Sequence, residues 1–237
     1  MKALIIGYGS IGQRHARLMA DLNLDVAVVS RREVDVLRHY KTTPEAIMDW
    51  RPDYVIIASG TNEHATDVAV LAEADFRGAV LIEKPLFGTT RNVPNNKFRS
   101  IHVAYNLRAH PVLQAFRQAI AGRSILAFRA HTGQYLPEWR PGTDYRLSYS
   151  AHRDKAGGVL RDLSHELDYA TWLCGPWLRV AALGGKFSHL EIDSADVFSI
   201  LMETEACPAV SIHMNYLQDM PQREIVAITE TGKLRAD

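Results

Sequence analysis

Two cysteines in 237 residues, Cys174 and Cys207, are too few and too far apart for a disulfide framework, and neither has the close spacing of a metal site. Each reads as a small buried hydrophobe in a reducing compartment, and no metal is expected. Net charge is missing too. The 27 Lys and Arg balance 27 Asp and Glu, so no global field recruits nucleic acid or an anionic membrane. No apolar run is long enough to cross a bilayer, and a strand pattern starts within two residues of Met1, leaving no room for a secretory signal. The expectation is a cytoplasmic protein whose partner is a small molecule or another protein. There is no internal repeat and no low-complexity tract. What remains is ordinary globular composition, 47% apolar and 23% charged, in a length that makes one large domain or two ordinary ones.

The first informative stretch is Gly7-Tyr8-Gly9-Ser10-Ile11-Gly12, which follows the apolar run Ala3 to Ile6 and precedes a helical pattern through Leu22. Strand, Gly-x-Gly-x-x-Gly and helix in this order form a dinucleotide fingerprint. The first glycine makes a tight turn, the second admits a pyrophosphate against backbone, and the third lets helix and strand pack closely; the helix N-terminus attracts phosphate. A second strand, Val26 to Ser30, ends about 20 residues on, where an acid ordinarily holds the ribose hydroxyls. Here the residues are Ser30, Arg31 and Arg32. A hydroxyl followed by two guanidinium groups suits a 2′-phosphate, so NADP is expected in preference to NAD.

Tyr54 to Ser59 is a continuous apolar run of the kind covered on both faces in a parallel sheet, and Gly60-Thr61-Asn62-Glu63-His64 opens the next helix. Loops leaving the carboxyl ends of parallel strands face the ligand crevice, which makes Ser59, Thr61, Asn62 and His64 candidate lining residues, with helix capping the alternative for Asn62 and His64. The strand Ala79 to Ile82 ends in Glu83-Lys84-Pro85, so Glu83 and Lys84 stand where a reactive cofactor ring would lie. Phe87 to Arg99 has no helical period and reads as a loop. A strand follows from Ile101 to Tyr105, then Asn106-Leu107-Arg108 and a helix from Val112 to Ala121 ended by Gly122.

Beyond Gly122 the period changes to two, in runs 125–131, 180–183, 195–202, 209–216 and 225–229. The expected architecture is α/β: a Rossmann domain over residues 1–121 and an α+β domain over 122–237 with a mostly antiparallel open sheet. The long loop from Tyr135 through Trp139 to Arg146 is dense in aromatic, Arg and acidic residues. That suits carbohydrate or anion recognition and equally a protein interface.

The stretch Gly157 to Tyr169 is read as one helix, with Leu160, Leu163, Leu167, Ala170 and Cys174 on a core face and Asp162, His165, Tyr169 and Trp172 opposite. The glycine pair admits a close approach of another element or of a ligand. A carboxylate one turn from an imidazole orients it and raises its basicity, as a general base needs; a buried, satisfied His fits the same pattern.

Taken together, Gly7 to His15, Glu83-Lys84-Pro85, Tyr105-Asn106-Leu107-Arg108 before Pro111, and Gly157 to Asp168 make this chain resemble the Gfo/Idh/MocA oxidoreductases, the family of glucose-fructose oxidoreductase and inositol dehydrogenase. The resemblance implies a Rossmann domain followed by an α/β domain whose open sheet often forms a dimer interface. It also implies reversible hydride transfer between NAD(P) and a hydroxyl carbon of a sugar, cyclitol or activated sugar. On it, Lys84, Asp162 and His165 are catalytic, and Asn106, Arg108, Tyr135, Trp139, Arg146 and Tyr169 are expected to meet substrate. The loop from Tyr135 to Ser150 looks like the branch associated with surface-polysaccharide and nonulosonic-acid gene clusters. Three features depart from the family pattern. Asp162 and His165 are separated by two residues where many relatives have three, the helix after Glu-Lys-Pro is missing or shortened, and relatives continue past Asp237. Two rival functions carry the same motifs: NAD-dependent glycoside cleavage, and a catalytically silent NADP-binding regulator.

Overall fold

The computed structural model describes residues 1–34 and 38–237. The chain divides into two compact units, Met1–Ala104 and Tyr105–Asp237.

In the first unit, β1 (Lys2–Ile6), α1 (Ser10–Asp21), β2 (Asp25–Val29), β3 (Arg38–Tyr40), α2 (Thr43–Trp50), β4 (Tyr54–Ile57), α3 (His64–Glu73), β5 (Ala79–Ile82) and β6 (Ser100–Val103) alternate as their sequence periods require. The strands form one sheet in the order β3-β2-β1-β4-β5-β6. Every pair is parallel. Continuous apolar runs explain why both faces are covered. Leu4, Ile6, Val55 and Ile57 pack with Ala46 of α2 and Val68 and Leu71 of α3, while Ile5, Val28 and Ile56 face Ala16 of α1. The chain crosses from one face to the other between β1 and β4, whose carboxyl ends define a switch point. No helix occurs between Glu83 and Arg99; Phe87, Val93 and Phe98 of that segment pack on the α2/α3 face.

The second unit opens with a 3₁₀ turn (Asn106–Ala109) and contains α4 (Pro111–Ile120), β7 (Ile125–Gly133), α5 (Val159–Asp162), α6 (His165–Cys174), β8 (Trp177–Gly185), β9 (Val197–Thr204), β10 (Cys207–Asn215), β11 (Gln222–Thr229) and β12 (Gly232–Ala236). Its sheet runs β12-β11-β7-β10-β9-β8. The sheet is mixed, which corrects the expectation of a mostly antiparallel one: β7 and β10 in its middle run parallel, between antiparallel neighbours. Alternation at period two is common to both pairings and carries no information on direction. The parallel pair arises because the connection from β7 to β10 is a long crossover through α5, α6, β8 and β9.

The division between the units also falls earlier than Gly122. Leu113, Phe116 and Ile120 of α4 pack with Phe128, Leu173 and Ile225, so the helix belongs to the second core. That core lies between α4, α6 and one face of the sheet. The other face carries exposed Leu126, Val180, Leu183, Leu201 and Ile228.

Candidate active site

Two glycines of the first unit's loop have a steric reason. Gly7 has φ +90°, and a Cβ there would stand 2.6 Å from the Ser59 nitrogen and 2.7 Å from the Ala58 carbonyl, so only glycine lets β1 and β4 end side by side. A Cβ on Gly12 would lie 2.0 Å from the Gly7 carbonyl oxygen, whereas one on Gly9 would meet nothing within 4 Å. Gly9 precedes α1, whose N-terminus has no side-chain cap and no acid in its first turn. Open space in front of uncapped N–H groups is what a pyrophosphate occupies, so the residues present fit a dinucleotide.

Around this cradle, Ser30 directly follows β2, its hydroxyl accepting from the Arg32 N–H at 3.0 Å. Arg32 is exposed, and Arg31 ion-pairs with Glu63. Ser59 donates to Asp67 at 2.5 Å; burial pushes the Asp67 carboxyl up. Thr61 is half-buried and Asn62 exposed. His64 departs from its expected role. It is 1% exposed, with Nδ1 3.1 Å from the Pro85 carbonyl and 3.2 Å from that of Leu86, and Nε2 3.3 Å from that of Ser59. It ties the loop after β4 to the loop after β5 and does not line open space. Glu83 is likewise engaged, with Oε1 2.6 Å from His15 Nε2 on α1. Lys84 follows it, half-buried, ahead of a cis Pro85.

In the second unit the glycine pair serves protein packing. A Cβ on Gly157 would lie 2.1 Å from the Tyr149 carbonyl, and one on Gly158 (φ +108°) 3.3 Å from the Ala195 nitrogen. The helix read as continuous is two: α5 ends at Asp162, and α6 begins at His165 after a break at Leu163 and Ser164. The break puts Asp162 and His165 on separate helices. Tyr169 lies in the core, donating to Glu166 at 3.4 Å. Asp162, 5% exposed, accepts from the Tyr216 hydroxyl at 2.5 Å, and the Tyr149 hydroxyl lies beside it. Burial and that carboxylate push both phenols up. Trp139 is half-buried with its ring 5.7 Å from that of Tyr216. Half-buried His165 meets the edge of Tyr105 at 5.6 Å, and Tyr105 donates to Ser164 at 3.4 Å.

The cations expected to meet substrate are occupied. Arg108 donates twice to Asp168, at 2.8 and 2.6 Å, and Arg146 pairs with Asp144 and Glu191. Asn106 is exposed and Tyr135 half-buried. Sequence reading missed Tyr149 and Tyr216 as partners of Asp162, and Arg223 as the partner of the fully buried Glu166 at 2.7 Å. No local signal marks them, because they lie far along the chain from the groups they bind.

Comparison with known proteins places this geometry among relatives. The family described as "Oxidoreductase family, NAD-binding Rossmann fold" matches residues 1–95, and that described as "GFO/IDH/MocA C-terminal domain" matches 114–235. Inositol 2-dehydrogenase of Acidothermus cellulolyticus is 29% identical over 207 residues, covering 77% of this chain; the chain covers 56% of that relative's length. The crystal structure of GenD2 from gentamicin A biosynthesis in complex with NAD superposes with TM-score 0.84 at 24% identity, covering 100% of this chain and 72% of that one. The WlbA dehydrogenase from Bordetella pertussis in complex with NADH and UDP-GlcNAcA gives 0.83 at 18%, covering 99% and 77%. At these identities the structural likeness establishes the fold.

Proposed function

We infer the function from one premise: the chain belongs to the GFO/IDH/MocA oxidoreductase family. The reading is a dehydrogenase or reductase that exchanges a hydride between a nicotinamide dinucleotide and a hydroxyl carbon of a cyclitol, sugar or activated sugar. The observation that carries it is the Gly7–Gly12 cradle, closed at Gly12 and open at Gly9 before the bare N-terminus of α1. NAD(P), when bound, supplies the hydride acceptor or donor.

The remaining steps belong to side chains of this chain. In the oxidising direction His165 takes the hydroxyl proton, and Asp162, held by Tyr216, orients and supports the imidazole. Lys84 donates a hydrogen bond to the reacting oxygen and stabilises the negative charge that develops there. Arg32, with Ser30 shaping its turn, receives a 2′-phosphate, which makes NADP the preferred cofactor; Glu63 competes for Arg31. An activated sugar is favoured among substrates by the aromatic loop from Tyr135 to Ser150 and by the nucleotide sugar named in the Bordetella pertussis complex. The protein is assigned to the cytoplasm, and the exposed apolar face of the second sheet to self-association as a homodimer.

Titration of nicotinamide fluorescence with NADPH and NADH, followed by absorbance assays on inositol isomers, free sugars and nucleotide sugars, tests the reading. Binding with turnover supports it. Binding without turnover across the panel favours the silent regulator, and absence of binding removes the premise that the cradle holds a dinucleotide.

A further inference from the structure

β3 is an edge strand of the first sheet, parallel to β2 with Val29 opposite Tyr40, and the Ser30 N–H donates to the Tyr40 carbonyl at 3.1 Å. The register therefore brings Lys41, the residue after β3, beside Ser30, the residue after β2, at the strand ends where a Rossmann sheet meets the adenosine ribose. Alternation along β3 sorts its side chains. Arg38 and Tyr40 reach Asp49 of α2, whereas His39 and Lys41 both meet Glu33. His39 Nε2 lies 2.8 Å from the Ser30 carbonyl oxygen, so that nitrogen carries the hydrogen, and Nδ1 lies 3.6 Å from Glu33 Oε2. Glu33 Oε1 accepts from the Lys41 ammonium. The pair is open to solvent, with 51% of the Lys41 side chain and 77% of the Glu33 side chain exposed.

We propose that Lys41 is a specificity-determining residue for the dinucleotide: its ammonium leaves Glu33 and binds the 2′-phosphate of NADP, alongside the exposed Arg32 guanidinium. The proposal rests on the reading of the Gly7–Gly12 cradle as a dinucleotide site and deepens its preference for NADP. An exposed ion pair contributes little because water screens it, so a phosphate, with more charge and three acceptor oxygens, displaces the carboxylate readily. Lysine suits that role as a compact point charge on a flexible stem. A dinucleotide with a bare ribose brings no anion to this point and leaves the Lys41–Glu33 pair intact. Glu33 is the opposing determinant, since it competes with the phosphate for Lys41 and repels it. Arg31 and Lys41 are thus each held by an acid, Glu63 and Glu33 respectively, that a 2′-phosphate has to displace. Nothing local marks Lys41 for this task, because it belongs to another strand and only the β2–β3 register brings it to Ser30.

The test needs no substrate. Calorimetry measures binding of NADPH and NADH, and of adenosine 2′,5′-bisphosphate and adenosine 5′-monophosphate, to the full chain and to Lys41→Ala, Lys41→Arg, Glu33→Gln and the Lys41→Ala/Glu33→Gln double variant. Lys41→Ala is expected to weaken NADPH and the bisphosphate about tenfold, the loss of one charge-assisted hydrogen bond. NADH and the monophosphate should stay within about twofold, since they bring no anion to Lys41. Lys41→Arg keeps the cation and should retain NADPH, and Glu33→Gln should tighten NADPH at low salt. The double variant should stay weak, because the missing ammonium and not the released carboxylate causes the loss. The proposal is overturned if Lys41→Ala weakens NADPH and NADH alike or weakens neither, if the double variant regains wild-type NADPH affinity, or if the wild type binds NADH alone. In each of those cases the cradle still holds a dinucleotide. Binding of neither dinucleotide to the wild type would instead remove the cradle reading, and this proposal with it.

Discussion

The two units hold their polar groups in place through contacts of different range. In the first, the cradle is made by six consecutive residues, and the demands on Gly7 and Gly12 come from β1, β4 and the loop itself. In the second, Asp162 is held by Tyr216 from 54 residues away, Glu166 by Arg223 from 57 away, and Asp168 by Arg108 from 60 away. A local motif survives as a pattern of residue types; a long-range network exists only once strand register is set. The same contrast explains why five of the six parallel strands of the first unit were expected, the short edge strand β3 being missed, whereas the parallel β7–β10 pair was not expected.

The sharpest test of the proposed chemistry is Lys84→Ala. Removing a donor to a developing oxyanion is expected to cut kcat by about 10²–10³ with dinucleotide affinity nearly unchanged, read from steady-state rates and fluorescence titration. Unchanged kcat would remove Lys84 from the reaction. The local side of the comparison is tested by two glycine variants. Gly12→Ala drives a methyl against the Gly7 carbonyl and is expected to cost about 1–3 kcal/mol in urea denaturation. Gly9→Ala points into open space, so stability should stay within about 0.5 kcal/mol. Its dinucleotide affinity should fall roughly tenfold, on the order of 1.4 kcal/mol. Equal effects of the two on stability would contradict the division of roles.

The long-range side is tested by Tyr216→Phe, which strips a donor from the buried Asp162 and is expected to destabilise by about 1–3 kcal/mol. Glu166 adds a pH signature. Burial raises its carboxyl above the ordinary 4.5, against the pull of Arg223. The folded state then binds that proton more tightly than the unfolded one, so the contribution of Glu166 is fully present at acid pH and is lost as pH rises from 4.5 toward the raised value. Wild type should therefore lose stability relative to Glu166→Gln across that window; a flat difference would show the carboxyl is not raised. The smallest effect is expected at the surface. Glu63→Gln releases Arg31 from its ion pair and should tighten NADP by about two- to fivefold at low salt, with NAD little changed.

Particular residues show what was legible. Gly7 and Gly12 were legible because a tight turn and a close packing contact each demand the missing side chain at a fixed place in the motif. His64 was misread, since its place after β4 is visible in sequence and the Pro85, Leu86 and Ser59 carbonyls around its ring are not. The break at Leu163 and Ser164 separates Asp162 from the helix that carries both His165 and Tyr169, and the second core, which a helical period does not reveal, covers Tyr169.

By itself the sequence determined the Rossmann unit and the positions of its glycines, since both follow from periodicity or from a contiguous motif. Only the tertiary structure decided which way β7 and β10 run, which tyrosines hold Asp162, and that Arg108 and Arg146 are already paired. Those facts depend on strand register and on where a helix breaks, which a hydrophobic pattern of period two or 3.6 leaves open.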